Sequence, residues 1–211
     1  GFPTHAHWGL ADKMAKTPEN AMKLMMQVWP QAVARVHEEV KDMQAIADDE
    51  TKAGKHAKIT IEGWDYRYYA QKVKKAKYDL DENEVKPYLQ LDHLRDAMFW
   101  EANQLYGFTF APAKNAQVFQ SDVVVYDVKK DGKHVGYWYF DPYARKGKNS
   151  GAWETTYRVQ DKLDGGHTVL VSNNANFVKG KAGEPVYVSW DDVITMFHEF
   201  GHALHEMNSN V

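Results

Sequence analysis

Three residues near the end of the sequence, His198, Glu199 and His202, stand in the spacing H-E-x-x-H within the run DVITMFHEFGHALHEMNSNV. On an α-helix, positions i and i+4 share a face and lie about 6 Å apart along the axis, so both imidazoles can address one metal ion. Glu199, next to His198 and slightly off that line, can reach a water on the metal without binding the metal itself. That arrangement suits hydrolysis: zinc lowers the pKa of a water to about 7 and polarises a carbonyl, while the carboxylate takes the proton as general base. The chain has no cysteine, so a metal must be held by nitrogen and oxygen, a donor set that Co or Mn also accept. Two histidines leave a catalytic zinc short of its usual three protein ligands.

These residues need a helix to carry them. Ser189-Trp190-Asp191-Asp192 is an S-x-x-D capping pattern, and the stretch after it is apolar through Val193, Ile194, Met196, Phe197, Phe200 and Leu204. A buried helix is expected. Gly201 costs roughly 1 kcal/mol relative to Ala inside a helix, which suggests that something approaches the backbone there. H-E-x-x-H also arises by chance in unrelated proteins, and a capped amphipathic helix beside a sheet is the context that separates a site from coincidence. The remaining histidines have no such context. His205 reads as a helix neighbour, and His37, His56, His93, His134 and His167 as surface or hairpin residues.

Upstream, the first half of the chain reads as helical. Thr17-Pro18-Glu19 combines a cap, Pro at the first helical position and an acid in the first turn. Apolar residues follow from Met22 to Ile46 at near-helical spacing, with a kink or break expected at Pro30. A second helix is expected from Asp65 to Leu80, and a third from Pro87 to the stop at Gly107. Beyond Gly107 the composition turns β-rich. Lys130-Asp131-Gly132-Lys133 is a hairpin signal between two strands, HTVLVSNNANF reads as a third strand, and DPYARKGKNSGAW reads as a loop. The fold class expected is mainly α (α+β). Residues 1–107 would be the helical part, 108–188 a small antiparallel sheet with loops, and 189–211 the metal-binding helix, all within one domain fragment.

Bulk properties narrow the function classes. A chain of 211 residues that is 44% hydrophobic and 26% charged is ordinary for a globular domain. Its net charge of −3 gives no reason to expect nucleic acid as a partner. No stretch is apolar enough to span a membrane. The start at Gly1 shows no leader pattern, and no Gly or Pro stop follows His202, so both ends read as cuts through a longer protein.

The motif and the segments around it resemble a known family. MFHEFGHALH is similar to the zinc helix of the M3 metallopeptidases, the thimet oligopeptidase and neurolysin group. The segments THAHWGLADKMAKTPENAM, WDYRYYAQKVKKAKYDLDENEVKPYLQLDHLRDAMFW, GYWYFDPYARKGKNSGAW and VSNNANFVKGKAGEPVYVSWDDVITMFHEFGHALH resemble, in order, the bacterial peptidyl-dipeptidases of that family. The resemblance implies a helical, zincin-like, two-lobed enzyme with a channel, which removes C-terminal dipeptides from short peptides. The absence of cysteine fits the cytoplasm or the periplasm, the cytoplasm being preferred. The resemblance also implies that His198 and His202 are zinc ligands, that Glu199 is the general base, and that a Glu on a following helix is the third ligand, outside this chain. It further implies that a sheet beside the zinc helix binds substrate backbone. Val171–Phe177 is then the candidate edge, with Asn173, Asn174 and Asn176 as substrate-binding residues. The competing reading of those asparagines is a strand ending in a side-chain-bonded turn.

Arg145, Lys146 and Lys148 read either as a trap for a peptide carboxylate or, preferably, as a solvated basic loop. The family pattern has Gly after HALH where this chain has Glu206. As a metal ligand Glu206 is unfavourable, about 12 Å along the axis from His198 and rotated by roughly 80°. An active enzyme competes with a second reading, a non-catalytic fragment with an incomplete, weak metal site. Surfaces bared by truncation would also favour self-association.

Overall fold

The computed structural model describes residues 1–79, 82–181 and 183–211, so the expected last residue of the second helix, Leu80, lies outside the described residues. The chain forms two compact units, Gly1–Asp81 and Glu82–Val211. In the first, α1 (His5–Leu10) is followed by α2 (Pro18–Lys52) and α3 (Tyr66–Tyr78). The Thr17 side chain accepts from the Asn20 amide, with Pro18 in the first turn, as the sequence leads one to expect. α2 is assigned as one helix through Pro30, where a kink or break was expected. α2 and α3 are joined through Met43, Ala47, Ile61 and Tyr69, all nearly solvent-free. Lys72 adds a double hydrogen bond to Glu50, holding the Glu50 carboxyl below its ordinary value.

The second unit is a sheet covered on one face by helices. Its elements are α4 (Glu82–Val85), a 3-10 turn at Lys86–Tyr88, α5 (Leu91–Tyr106), β1 (Phe108–Pro112), β2 (Val124–Lys130), β3 (Lys133–Tyr143), β4 (Trp153–Arg158), β5 (Val169–Phe177) and α6 (Trp190–Asn208). Pro87 lies in the 3-10 turn, so the third long helix starts at Leu91 and not at Pro87. It ends as expected at Gly107, in the left-handed conformation. The Asp131-Gly132 pair joins β2 to β3 with both residues at positive φ, which is what a tight hairpin requires.

Strand order is β1-β2-β3-β5-β4. Three junctions are antiparallel, but β3 and β5 run parallel, so the sheet is mixed where an antiparallel one was expected. β5 slots between β3 and β4 and is interior, buried at seven of its nine positions. The core lies between the sheet and the helices. Trp138 is fully buried, with Phe99, Phe140 and Phe200 rings around it.

Gly136 permits the parallel junction. It pairs with Val169, and a Cβ placed there would lie 2.5 Å from the Val169 carbonyl oxygen. That neighbour is backbone and cannot rotate away. Gly136→Ala is expected to cost about 1–3 kcal/mol, read as a lower urea midpoint with an unchanged slope.

Candidate metal centre

The helix that carries His198 begins as the sequence predicts. The Ser189 hydroxyl accepts from the Asp192 amide while the Asp192 carboxylate accepts from the Ser189 amide, a full capping box. Val193, Met196, Phe200, Ala203 and Met207 are buried on one stripe, which docks α6 against the sheet and turns His198 and His202 to solvent. Gly201 departs from expectation. It is exposed, with nothing within 4 Å of where a Cβ would stand, so no close approach among the described residues accounts for it.

His198 and His202 converge. Their Nε2 atoms are 3.2 Å apart, with ring centroids 4.8 Å apart and planes at 84°. Two nitrogens each about 2.0–2.1 Å from one tetrahedral ion stand roughly 3.3 Å from each other, so the pair fits two adjacent corners of a zinc site. Among the described residues no group of three or more His, Asp or Glu side chains converges to hold a metal. Glu206 therefore does not join the two histidines.

Glu199 is half-buried at the edge of a cavity of about 10 Å³, room for one water, lined with Met98, Phe140, Asn173, Thr195 and Met196. Its main chain is anchored. The Asn173 Nδ2 donates to the Glu199 carbonyl at 2.6 Å, and the Asn173 Oδ1 accepts from the Trp138 indole at 2.6 Å. A buried side chain on β5 thus ties α6 to the centre of the core.

The sheet order corrects the expected substrate edge. Within it, residues 171–174 of β5 pair with both β3 and β4, so their main-chain groups are not free, whereas residues 175–177 pair with no residue of β4 among the described residues. Asn174 donates to the Trp153 carbonyl and the Ser172 hydroxyl, and Asn176 to the carbonyls of Asn149 and Gly151. With Asn173, these amides position α6, β4 and the loop before β4. The edge beside α6 is β4, which sequence reasoning missed. Its WETTYR run carries a usable signal in Trp153, Thr155, Thr156 and Tyr157, all residue types that favour strands.

The expectation of a solvated basic loop holds at Lys146, which is exposed, and is corrected at Lys148 and Arg145. Lys148 is not solvated: its side chain is 2% exposed and its ammonium lies 3.0 Å from Asp141 Oδ1, itself 1% exposed. It also donates to the carbonyls of Asp141 and Tyr143. Arg145 clamps both oxygens of the same carboxylate, at 2.6 and 2.8 Å. Neither cation is left to trap a peptide carboxylate. Burial pushes the Lys148 ammonium down, against the Asp141 contact that raises it.

A further carboxylate went unnoticed in the sequence. Glu154 on β4 is half-buried and accepts from Thr156 Oγ1 at 2.9 Å. Burial pushes its carboxyl up, and the charges of Glu206 and Glu199 add to that rise against His202.

The model of peptidase family M3 matches residues 1–211, the whole chain. The chain belongs to peptidase family M3. It is 40% identical over 207 residues to the dipeptidyl carboxypeptidase of Escherichia coli, covering 97% of this chain and 30% of that protein. It is 29% identical to the oligopeptidase A of the same organism, over 100% of this chain and 31% of the relative. It is 34% identical to a probable cytosolic oligopeptidase A of Arabidopsis thaliana, over 98% and 30%. This M3 chain thus spans about a third of the length of the curated relatives it matches. Among its described residues, no helix is long and apolar enough to cross a membrane.

Proposed function

We propose that this chain is the metal-helix portion of a zinc peptidase that hydrolyses short peptides and releases C-terminal dipeptides. The observation that carries the reading is the 3.2 Å approach of the His198 and His202 Nε2 atoms on a capped helix, with Glu199 adjacent. When bound there, zinc supplies Lewis acidity toward a carbonyl and a more acidic water. His198 and His202 would hold the ion, and Glu199 would take the proton as general base. The anchored Glu199 main chain keeps that carboxylate in register with the imidazoles. An extended peptide adds to the free edge of β4, gaining main-chain hydrogen bonds beside α6. Dipeptide release is supported by the name of the 40%-identical relative. The cytosolic setting named for the plant relative supports the cytoplasm.

The third zinc ligand, in this reading, comes from a segment outside these 211 residues. The absence of a third converging donor among the described residues favours weak zinc binding and no hydrolysis by the chain alone. Zinc titration of the chain and of His198→Ala, with peptide cleavage followed in the same samples, is the test. Weak binding that the variant loses by more than about tenfold is the expected result. Tight stoichiometric binding with cleavage would mean that a second copy or an unrecognised side chain completes the site. Binding equal in both proteins would remove His198 from the metal centre.

A further inference from the structure

Resting on β4 as the strand that a peptide joins, we propose that Glu154 is a specificity-determining residue which selects Lys or Arg in the bound peptide at the position opposite it. Among the described residues β4 has one neighbour, β5, and its other side is free of strands. Glu154 pairs across that junction with Asn173, whose amide reaches the Glu199 carbonyl. Directly opposed residues share a sheet face, so Glu154 is on the face turned to α6. Thr156, two residues on, shares that face and donates to Glu154 Oε1, in keeping with strand alternation. A peptide added to the free edge continues the pleat. The peptide residue opposite Glu154 therefore sends its side chain to the same face, with Cβ atoms about 4.5–5.5 Å apart.

The charge at that point favours a cation. Glu154 is half-buried, and the groups that act on its charge from α6 are the carboxylates of Glu206 and Glu199 together with His202. Among the described residues its hydrogen-bond partner is the neutral Thr156. Arg145 and Lys148, in the loop before β4, are engaged by Asp141, which pairs with Asn174 and not with the Asn173 opposite Glu154. In the metal-free chain an ammonium or guanidinium brought by the peptide supplies the missing opposite charge, whereas an acidic side chain there meets repulsion. Opposite-charge pairs across adjacent strands are favourable and like charges are not.

The test is fluorescence anisotropy with the 211-residue chain and labelled eight-residue peptides in which one position at a time is Lys, Leu or Glu. Lys is expected to bind about two- to fivefold tighter than Leu at one position, with Glu weaker than Leu. Glu154→Gln should erase the Lys advantage without changing the affinity for the Leu peptide, and Glu154→Asp should retain most of it. Peptides that bind with no Lys preference, or with a preference that survives in Glu154→Gln, overturn the proposal while leaving β4 as the docking edge. Peptides N-methylated at alternate amides, tried in both frames, test that edge by itself. Undiminished binding by both would remove strand pairing, and the assignment of Glu154 with it.

Discussion

Peptide hydrolysis by a zinc-loaded M3 peptidase containing this chain is expected to fall about 10²–10⁴-fold in Glu199→Gln, the usual contribution of a general base. Zinc affinity should stay within about twofold of the parent, because a residue acting on a proton and not on the metal leaves the ligand set intact. Gln keeps the shape of Glu but accepts no proton at neutral pH. The helix itself has no reason to move. Asn173 holds residue 199 through its main-chain carbonyl, a contact indifferent to the side chain. Parallel measurement of cleavage and of zinc binding by calorimetry separates the roles. A drop in both would make Glu199 a ligand, and a drop in neither would remove it from the reaction.

The second large effect concerns stability. Asp141→Asn is expected to destabilise the fold by about 3–5 kcal/mol, since removing one member of a buried ion pair strands the other. The stranded member is the Lys148 ammonium, with a side chain 2% exposed. Lys148→Met should cost less, because Arg145 still holds both oxygens of Asp141. The pH dependence has a defined sign. Lys148 is already held below its ordinary 10.5 in the folded state, and losing Asp141 removes a contact that raises it. Between the depressed folded value and 10.5 the unfolded chain binds more protons, so the penalty is full below that window and eases as pH rises through it. Urea denaturation at about pH 7 and about pH 9.5 should show the variant regaining part of its deficit at the higher pH. An equal deficit at both would trace the loss to packing and not to charge.

How much of this was legible in the sequence follows the range of the interactions involved. The caps at Thr17 and Ser189, the Asp131-Gly132 hairpin and the stop at Gly107 are set by residues within four positions of one another, and each forms as expected. The convergence of His198 and His202 is equally local, an i,i+4 relation on one helix. The position of β5 is not. Nothing in VSNNANF says that β4, earlier in the chain, will pair with residues 171–174, so the interior position of those residues is not legible there. The same holds for Lys148. A Gly- and Lys-rich run looks solvated until the fold brings Asp141 beneath it. Pro30 is the opposite case, a local signal for a break within what remains one assigned helix.

The sheet order also bears on which parts of the unit open together. Among the described residues, β4 is held to the sheet only through β5, and β5 is the strand inserted at the one parallel junction, with all of β4 lying between it and β3 in the chain. Withdrawing β5 frees β4 at the same moment and releases the Asn173 tether on α6. Amide hydrogens of β4 that pair with β5 should therefore exchange no more slowly than those of β5, whereas the β2–β3 hairpin, closed by its own turn, can retain protection through such an opening. β4, β5 and the tether on residue 199 of α6 would then open as one cooperative unit.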